Sequence, residues 1–282
     1  MYDAGFQSDD ISSLQRANGE LRVRLEHRNG ATVLDRLFQA GCLKARFPRG
    51  AARGWSDIVT LNTSGGIAGG DRLSSTFEIA AGGRATIASQ AAERYYRVPT
   101  GSDPARVRVR ISVGEDAAAE WLPQETILFD ACAMDRRLDI ELLDSSWFVG
   151  VEGLVFGRVG MGERLRTGRI RDVIRVRRAE RLIWHDAVRM DGAIDALLHR
   201  PTVANGARAV ANLVHVAPDA EQRVDSVRAA LAGLPAESGV SAWNGMLVAR
   251  LLATDTKPLR QAVTVALGAL RGGRNLPRVW LC

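Results

Sequence analysis

The stretch Leu61-Asn62-Thr63-Ser64-Gly65-Gly66-Ile67-Ala68-Gly69-Gly70-Asp71-Arg72-Leu73 decides how this chain is read. Two glycine pairs flank a small apolar dipeptide and close on Asp-Arg. A phosphate loop requires Gly-Lys-Ser/Thr at its close, so that a lysine and a hydroxyl meet phosphate and magnesium. Here a carboxylate stands in that place and would repel phosphate. The G-x-G-x-x-G spacing of dinucleotide folds is missing as well, and both motifs must open a helix whose N-terminal amides face the anion. Leu73-Ser-Ser-Thr-Phe77-Glu-Ile79 follows instead, alternating as a strand does and ending at Gly82-Gly83. The glycines therefore read as a turn between strands, serving positive φ or close backbone approach.

Strand signals dominate the first two hundred residues. Leu21, Val23 and Leu25 alternate with polar neighbours, as do Val107, Ile111 and Val113, and Leu138, Ile140 and Leu142. Turn chemistry separates these runs at Asn29-Gly30, Gly114-Glu115-Asp116 and Asp144-Ser145-Ser146. A mainly β body follows. Helical periodicity appears late. Asp219 and Gln222 form a potential capping box ahead of Val224, Val227, Leu231 and Leu234. A second helix is expected from about Thr256, with Pro258 in its first turn, Leu259, Val263, Leu267 and Leu270 on one face, and Gly272-Gly273 at its end. Between the two, Val240 to Leu252 reads as a strand.

With 282 residues, 46% apolar and 25% charged, the chain has the make-up of an ordinary globular protein, and one domain is the simplest organisation. No run of about 18 apolar residues occurs, which argues against a membrane span. Met1 to Asp10 lack the basic-then-apolar order of a signal peptide. Cys42, Cys132 and Cys282 are too few and too scattered for a disulfide framework, so a cytoplasmic location is expected. The net charge of +6 is carried almost wholly by arginine, Lys44 and Lys257 being the lysines. Arginines alternate along the strand runs (Arg22 and Arg24; Arg106, Arg108 and Arg110; Arg175 and Arg177), as on the wet face of a half-buried sheet. The basic balance leaves a nucleic-acid-binding module as an alternative, whose signature would be affinity falling steeply with salt. No clustered basic surface with stacking aromatics and no recognised module is read in the sequence.

Catalytic patterns are sparse. Glu120 and Glu125 flank Trp121-Leu122-Pro123-Gln124 and could form an acid/base couple, the basis of an alternative reading as a carboxylate-based hydrolase on a β scaffold; a salt-bridged structural pair is the other reading. Ser64-Gly65-Gly66 lacks the first glycine of a nucleophile elbow. His27, His185, His199 and His215 fall in no recognisable catalytic setting, and no H-x-H, H-E-x-x-H or C-x-x-C occurs.

Further motifs accompany the glycine segment: Ser89-Gln90-Ala91-Ala92-Glu93-Arg94-Tyr95-Tyr96-Arg97, Glu120 through Ala131, Val151 through Arg158 with Met161-Gly162-Glu163, Trp243-Asn244-Gly245 with Val248 through Leu252, and Leu276-Pro277-Arg278-Val279-Trp280. In this order, from about residue 20 to the end, they resemble the urease accessory protein UreD family, called UreH in some organisms. Residues 1–19 carry no such motif and are expected to be flexible, leaving 20–282 as a single domain. The resemblance implies a mainly β, coiled multi-stranded body with two C-terminal α-helices. It implies a non-enzymatic maturation factor that binds apo-urease and a UreF–UreG complex, holds no permanent cofactor, and passes nickel through an internal polar path. Weak, exchangeable oxygen ligands suit such a path, since tight nitrogen and sulfur sites would trap the metal. The route candidates are Asp71, Glu93, Glu120, Glu125, Asp130, Glu152 and Glu163. Arg72, Thr86, Ser89, Gln90, Arg94, Arg97, Gln124 and Arg158 would support them. Trp243, Arg250, Arg278 and Trp280 are of the residue types that anchor partners.

Overall fold

The computed structural model describes residues 15–99 and 101–281. Of the segment expected to be flexible, residues 1–14 lie outside the described residues, and the first strand begins at Asn18.

The first strands are β1 (Asn18–Arg28), β2 (Ala31–Gly41), β3 (Leu43–Arg46), β4 (Ser56–Asn62), β5 (Arg72–Ile79), β6 (Arg84–Ser89) and β7 (Glu93–Tyr95). Next come β8 (Ala105–Val113), β9 (Ala118–Leu122), β10 (Thr126–Leu128), β11 (Cys132–Leu142), β12 (Trp147–Phe156), β13 (Gly168–Arg178) and β14 (Arg181–Gly192). The remainder is α1 (Ile194–Leu198), β15 (Ala209–Val216), α2 (Val224–Leu231), β16 (Glu237–Trp243), β17 (Met246–Ala253) and α3 (Thr256–Leu270).

Two sheets result. One is seven-stranded in the order β14-β13-β11-β8-β5-β1-β2; the other runs β16-β17-β15-β12-β9-β6-β4-β3, with β10 and β7 attached beside β12. From β4 to β13 the chain passes back and forth between them, and the central neighbours pair in parallel in both: β1, β5, β8, β11 and β13 in the first, β4, β6, β9 and β12 in the second. Parallel neighbours need a crossover, usually a helix. Here a strand of the opposite sheet does that work, and the body is a coil.

The two sheets differ in what covers them. The seven-stranded sheet leaves its outer face to water, so its strands alternate: Leu21, Val23 and Leu25 are buried, while Arg22 and Arg24 are exposed and pair with Glu20, Asp35 and Glu78. The second sheet is sandwiched. Its inner face joins the inter-sheet core through Phe148, Leu154 and Phe156. Its outer face packs Val149, Val151 and Val155 beneath Val227, Leu231, Leu259, Val263 and Leu267 of α2 and α3. β12 is accordingly apolar nearly throughout, as expected for a strand covered on both faces.

Local signals behaved unevenly. The glycine segment is a turn joining β4 to β5: Gly65, Gly66 and Gly70 have positive φ, and a Cβ on Gly66 would lie 2.2 Å from the Tyr96 ring. α3 starts at Asp255, whose side chain accepts from the Thr256 amide, and Gly272 and Gly273 follow its end with φ of 59° and 77°. The Asp219–Gln222 capping box does not form. A 3-10 turn, Glu221–Arg223, intervenes before α2, and the Asp219 carboxylate accepts from Arg223 instead. The Val240–Leu252 segment is a hairpin, β16 and β17, turned at Asn244-Gly245 with φ of 52° and 71°. No helix of the described residues is long and apolar enough to cross a membrane.

Candidate functional site

A cavity of about 230 Å³ lies between the sheets. One wall comes from β5, β8 and β11 through Ser75, Val109 and Arg136; the other comes from β4, β9 and β12 through Asn62, Trp121 and Glu152. Glu93 and Tyr95 of β7 and Thr126 of β10 close it. Strand alternation explains the space. Ser75 occupies an inward position between Leu73 and Phe77, where a short polar side chain fills less volume than its neighbours.

Three charges line up at the inner end in the same way. Along β11 the inward residues are Met134, Arg136 and Leu138; along β13 they are Ile170, Asp172 and Ile174. Arg136 and Asp172 are direct partners in the parallel register. The guanidinium donates from Nε to Asp172 Oδ1 at 2.9 Å and from Nη2 to Oδ2 at 2.6 Å, a bidentate pair. Its Nη1 reaches Glu152 Oε2 at 2.6 Å and Thr126 Oγ1 at 3.0 Å. Glu152 Oε1 accepts from Trp121 Nε1 at 2.7 Å. Burial pushes the Glu152 carboxyl up, with Arg136 pulling the other way. For Arg136 burial works against the charge, but Asp172 and Glu152 outweigh it and fix the guanidinium as a cation. Toward the mouth, Glu93 accepts from Asn62 Nδ2 at 3.1 Å, and burial raises its carboxyl above the usual range. Ser89, Gln90 and Gln124 also line the cavity; Gln124 takes its place by donating from its amide to Ser89 Oγ and from Nε2 to the Val279 carbonyl.

The other five carboxylate candidates lie apart from this cavity. Asp71 is buried and accepts from the Ala17 and Ala68 amides at 2.8 and 2.7 Å, pinning the glycine turn to the chain ahead of β1. Glu120 is fully buried on the helix side of β9, beside its register partner Thr86 and opposite in direction to Trp121. It binds Thr86 Oγ1, Arg271 Nε and Nη2, and Arg274 Nη2 at 2.8, 2.9, 2.7 and 2.5 Å. Burial raises its carboxyl, but the two guanidiniums more than offset this and hold it below the usual range. This arrangement is that of a salt-bridged structural carboxylate, the other reading open to Glu120 in the sequence. Glu125 sits 3.3 Å from Arg260 of α3. Asp130 accepts from the Arg166 and Thr167 amides and lies 3.6 Å from Arg97, while Glu163 pairs with Arg158, whose guanidinium stacks on Phe129. Arg72 is exposed at the start of β5, and Arg94 lies exposed at the cavity mouth.

The partner candidates divide. Trp243 is 39% exposed at the end of β16, and Arg250 and Arg278 reach the surface, Arg250 paired with Asp186. Trp280 is 7% exposed, donates to the Leu122 carbonyl and lies under Arg260, so it anchors the chain's end to the body. A groove of about 1170 Å³ lies nearby, lined in part by Arg49, Trp55, Asp57, Arg271 and Arg274. Among the described residues, no three His, Cys, Asp or Glu side chains gather where they could hold a metal ion.

Arg136, Asp172 and Tyr95 were not among the residues singled out from sequence. A signal existed: each charge interrupts an otherwise apolar inward series, Cys132-Met134-Arg136-Leu138 and Ile170-Asp172-Ile174.

Comparison with known proteins matches the model of a family described as UreD urease accessory protein across residues 17–281. The urease accessory protein UreD of Azorhizobium caulinodans is 43% identical over 268 residues, covering 94% of this chain and 97% of the relative. That of Methylobacterium sp. (strain 4-46) is 45% identical over 89% of each chain. Urease accessory protein UreD 1 of Bradyrhizobium sp. (strain ORS 278) is 39% identical over 99% of each.

Proposed function

Since this chain belongs to the UreD family of urease accessory proteins, a role in urease maturation is its premise, and we propose that it acts there as an adaptor with a polar interior route for nickel. In this reading it works in the cytoplasm without catalysis of its own, binding apo-urease on one side and a UreF–UreG assembly on the other. The nickel ion is cargo. The observation that carries the reading is the cavity between the sheets, which brings Glu93, Glu152 and Arg136 together with Asn62, Ser89, Gln90 and Thr126 inside the inter-sheet core.

Oxygen and amide ligands bind a first-row dication more weakly than imidazole or thiolate sets do, so a metal can exchange along them. Carboxylates in a low-dielectric core are costly unless compensated. Arg136 compensates Glu152 and Asp172 at rest, and Glu93 accepts from Asn62 Nδ2 and the Arg94 amide. Asp71, Glu120, Glu125, Asp130 and Glu163 lie outside this cavity and are tied to backbone amides or arginines, so in this reading they support the surrounding framework and do not line the route.

The test is nickel loading of apo-urease with the full accessory set. Glu93→Gln keeps the size of the side chain and an acceptor for Asn62 while removing the charge. It should lower nickel per urease active site several-fold with complex formation unchanged. Wild-type loading by both Glu93→Gln and Glu152→Gln would end the route through this cavity.

A further inference from the structure

The Tyr95 hydroxyl is the unexplained group of this cavity. Tyr95 is 2% exposed, packs in the inter-sheet core and lines the same space as Glu152 and Arg136. Its oxygen has no hydrogen-bond partner among the described residues. Buried polar atoms are nearly always paired, because an unpaired one keeps its desolvation cost without a return. Phenylalanine would fill this position without that cost. Charges surround the hydroxyl: Arg136, Glu93, Asp172 and Glu152 all act on it.

The contacts of Arg136 are unequal. Two parallel bonds tie it to Asp172, whereas one bond reaches Glu152. Glu152 is in turn oriented by Trp121 through its other oxygen. If Glu152 gives up Arg136, the guanidinium keeps its bidentate partner and Thr126, and the carboxylate keeps its indole donor. Neither group is stranded. Glu152 and Tyr95 both line the cavity, so a freed Oε2 and the unpaired hydroxyl belong to residues of one polar space.

We propose that Glu152 and the Tyr95 hydroxyl form an inner station for the passing dication, at which Arg136 is a displaceable counter-charge that yields Glu152 to the metal and retains Asp172. The proposal rests on the reading of this cavity as the nickel route. At the station the Arg136–Asp172 pair is neutral, leaving the charges of Glu152 and Glu93 to offset those of one dication. Such a site holds the ion by one carboxylate oxygen and one phenol oxygen, weakly enough for it to move on. No proton or bond is transferred; Arg136 and metal exchange places on one oxygen.

Tyr95→Phe tests this directly, because it removes only the unpaired oxygen. Apo-urease is loaded with nickel ions by the complete accessory complex containing wild-type or variant chain, and melting temperature and complex formation are measured on the same preparations. The expected result is a loss of nickel loading of about three-fold or more, with an unchanged or raised melting temperature and an intact complex. Wild-type loading by Tyr95→Phe overturns the station. So does a loss of loading accompanied by a lowered melting temperature, which would assign the hydroxyl to the fold. Glu93→Gln separates the two readings: if it loses loading while Tyr95→Phe does not, the route stands without the station, and if Glu93→Gln and Glu152→Gln both load as wild type, the route itself is wrong.

Discussion

Glu120→Ala should unfold this protein more readily than any other single carboxylate removal along β9–β12. The carboxylate is fully buried and accepts four hydrogen bonds, three of them from guanidiniums. Arg271, 3% exposed and at the C-terminal end of α3, would be left without its charge partner, while Arg274 could turn to solvent and to the Trp55 and Trp147 rings it already touches. Removing one member of a buried ion pair costs about 3–5 kcal/mol, because the surviving charge remains desolvated. At about 2–4 °C per kcal/mol for a chain of this size, the melting temperature should fall by roughly 6–20 °C. The double variant Glu120→Leu with Arg271→Leu removes both charges and should recover most of the loss. In the wild-type chain the Glu120 carboxyl is held below the usual range when folded, so the stabilisation is present above about pH 4.5 and is lost as pH falls through the folded-state value. Denaturant and thermal unfolding of the single and double variants provide the assay. A single variant within about 1 kcal/mol of wild type would refute the argument that Glu120 ties α3 to the sheet, since that is the range of an exposed pair.

Two further outcomes follow from the same geometry. His215 is buried against Phe148 and Trp147, and burial lowers its affinity for protons, so the unfolded chain binds more protons below about pH 6.5; melting temperature should fall between pH 7 and pH 5.5, less steeply in His215→Gln. Gly66→Ala meets both positive φ and the Tyr96 ring, and because Ser64 and Asn62 donate to the Gly66 carbonyl it should cost about 1–3 kcal/mol in denaturant unfolding and disturb the Asn62–Glu93 contact at the cavity mouth.

The parts of this fold that were legible in sequence are those fixed locally. The turn at Gly65 to Gly70 follows from backbone sterics, and α3 from a capping aspartate, a four-residue apolar spacing and terminal glycines. Strand existence follows from alternation wherever one face is wet, as in β1 and β8. Pairing order does not, because each crossover passes through the opposite sheet and the partners lie far apart in sequence. Whether a charged residue faces the inter-sheet cavity or the helices depends on that order. Glu120 and Glu152 come from adjacent parallel strands and point to opposite sides of one sheet, which motif matching alone cannot tell. The inward phase of β11 and β13 would have exposed Arg136 and Asp172. The hairpin at Asn244-Gly245 was hidden by the apolar run on either side of it, although its dipeptide is a strong turn signal.

Obstruction of the cavity is the most direct measurement. Ala92 lines its mouth and is half-buried, so Ala92→Trp places an indole across the opening without removing a charge or a hydrogen bond. Nickel bound per urease active site should fall several-fold with the variant, while binding to urease and to the other accessory proteins stays at the wild-type level. Full nickel occupancy behind a blocked mouth would show that the metal reaches urease by another way.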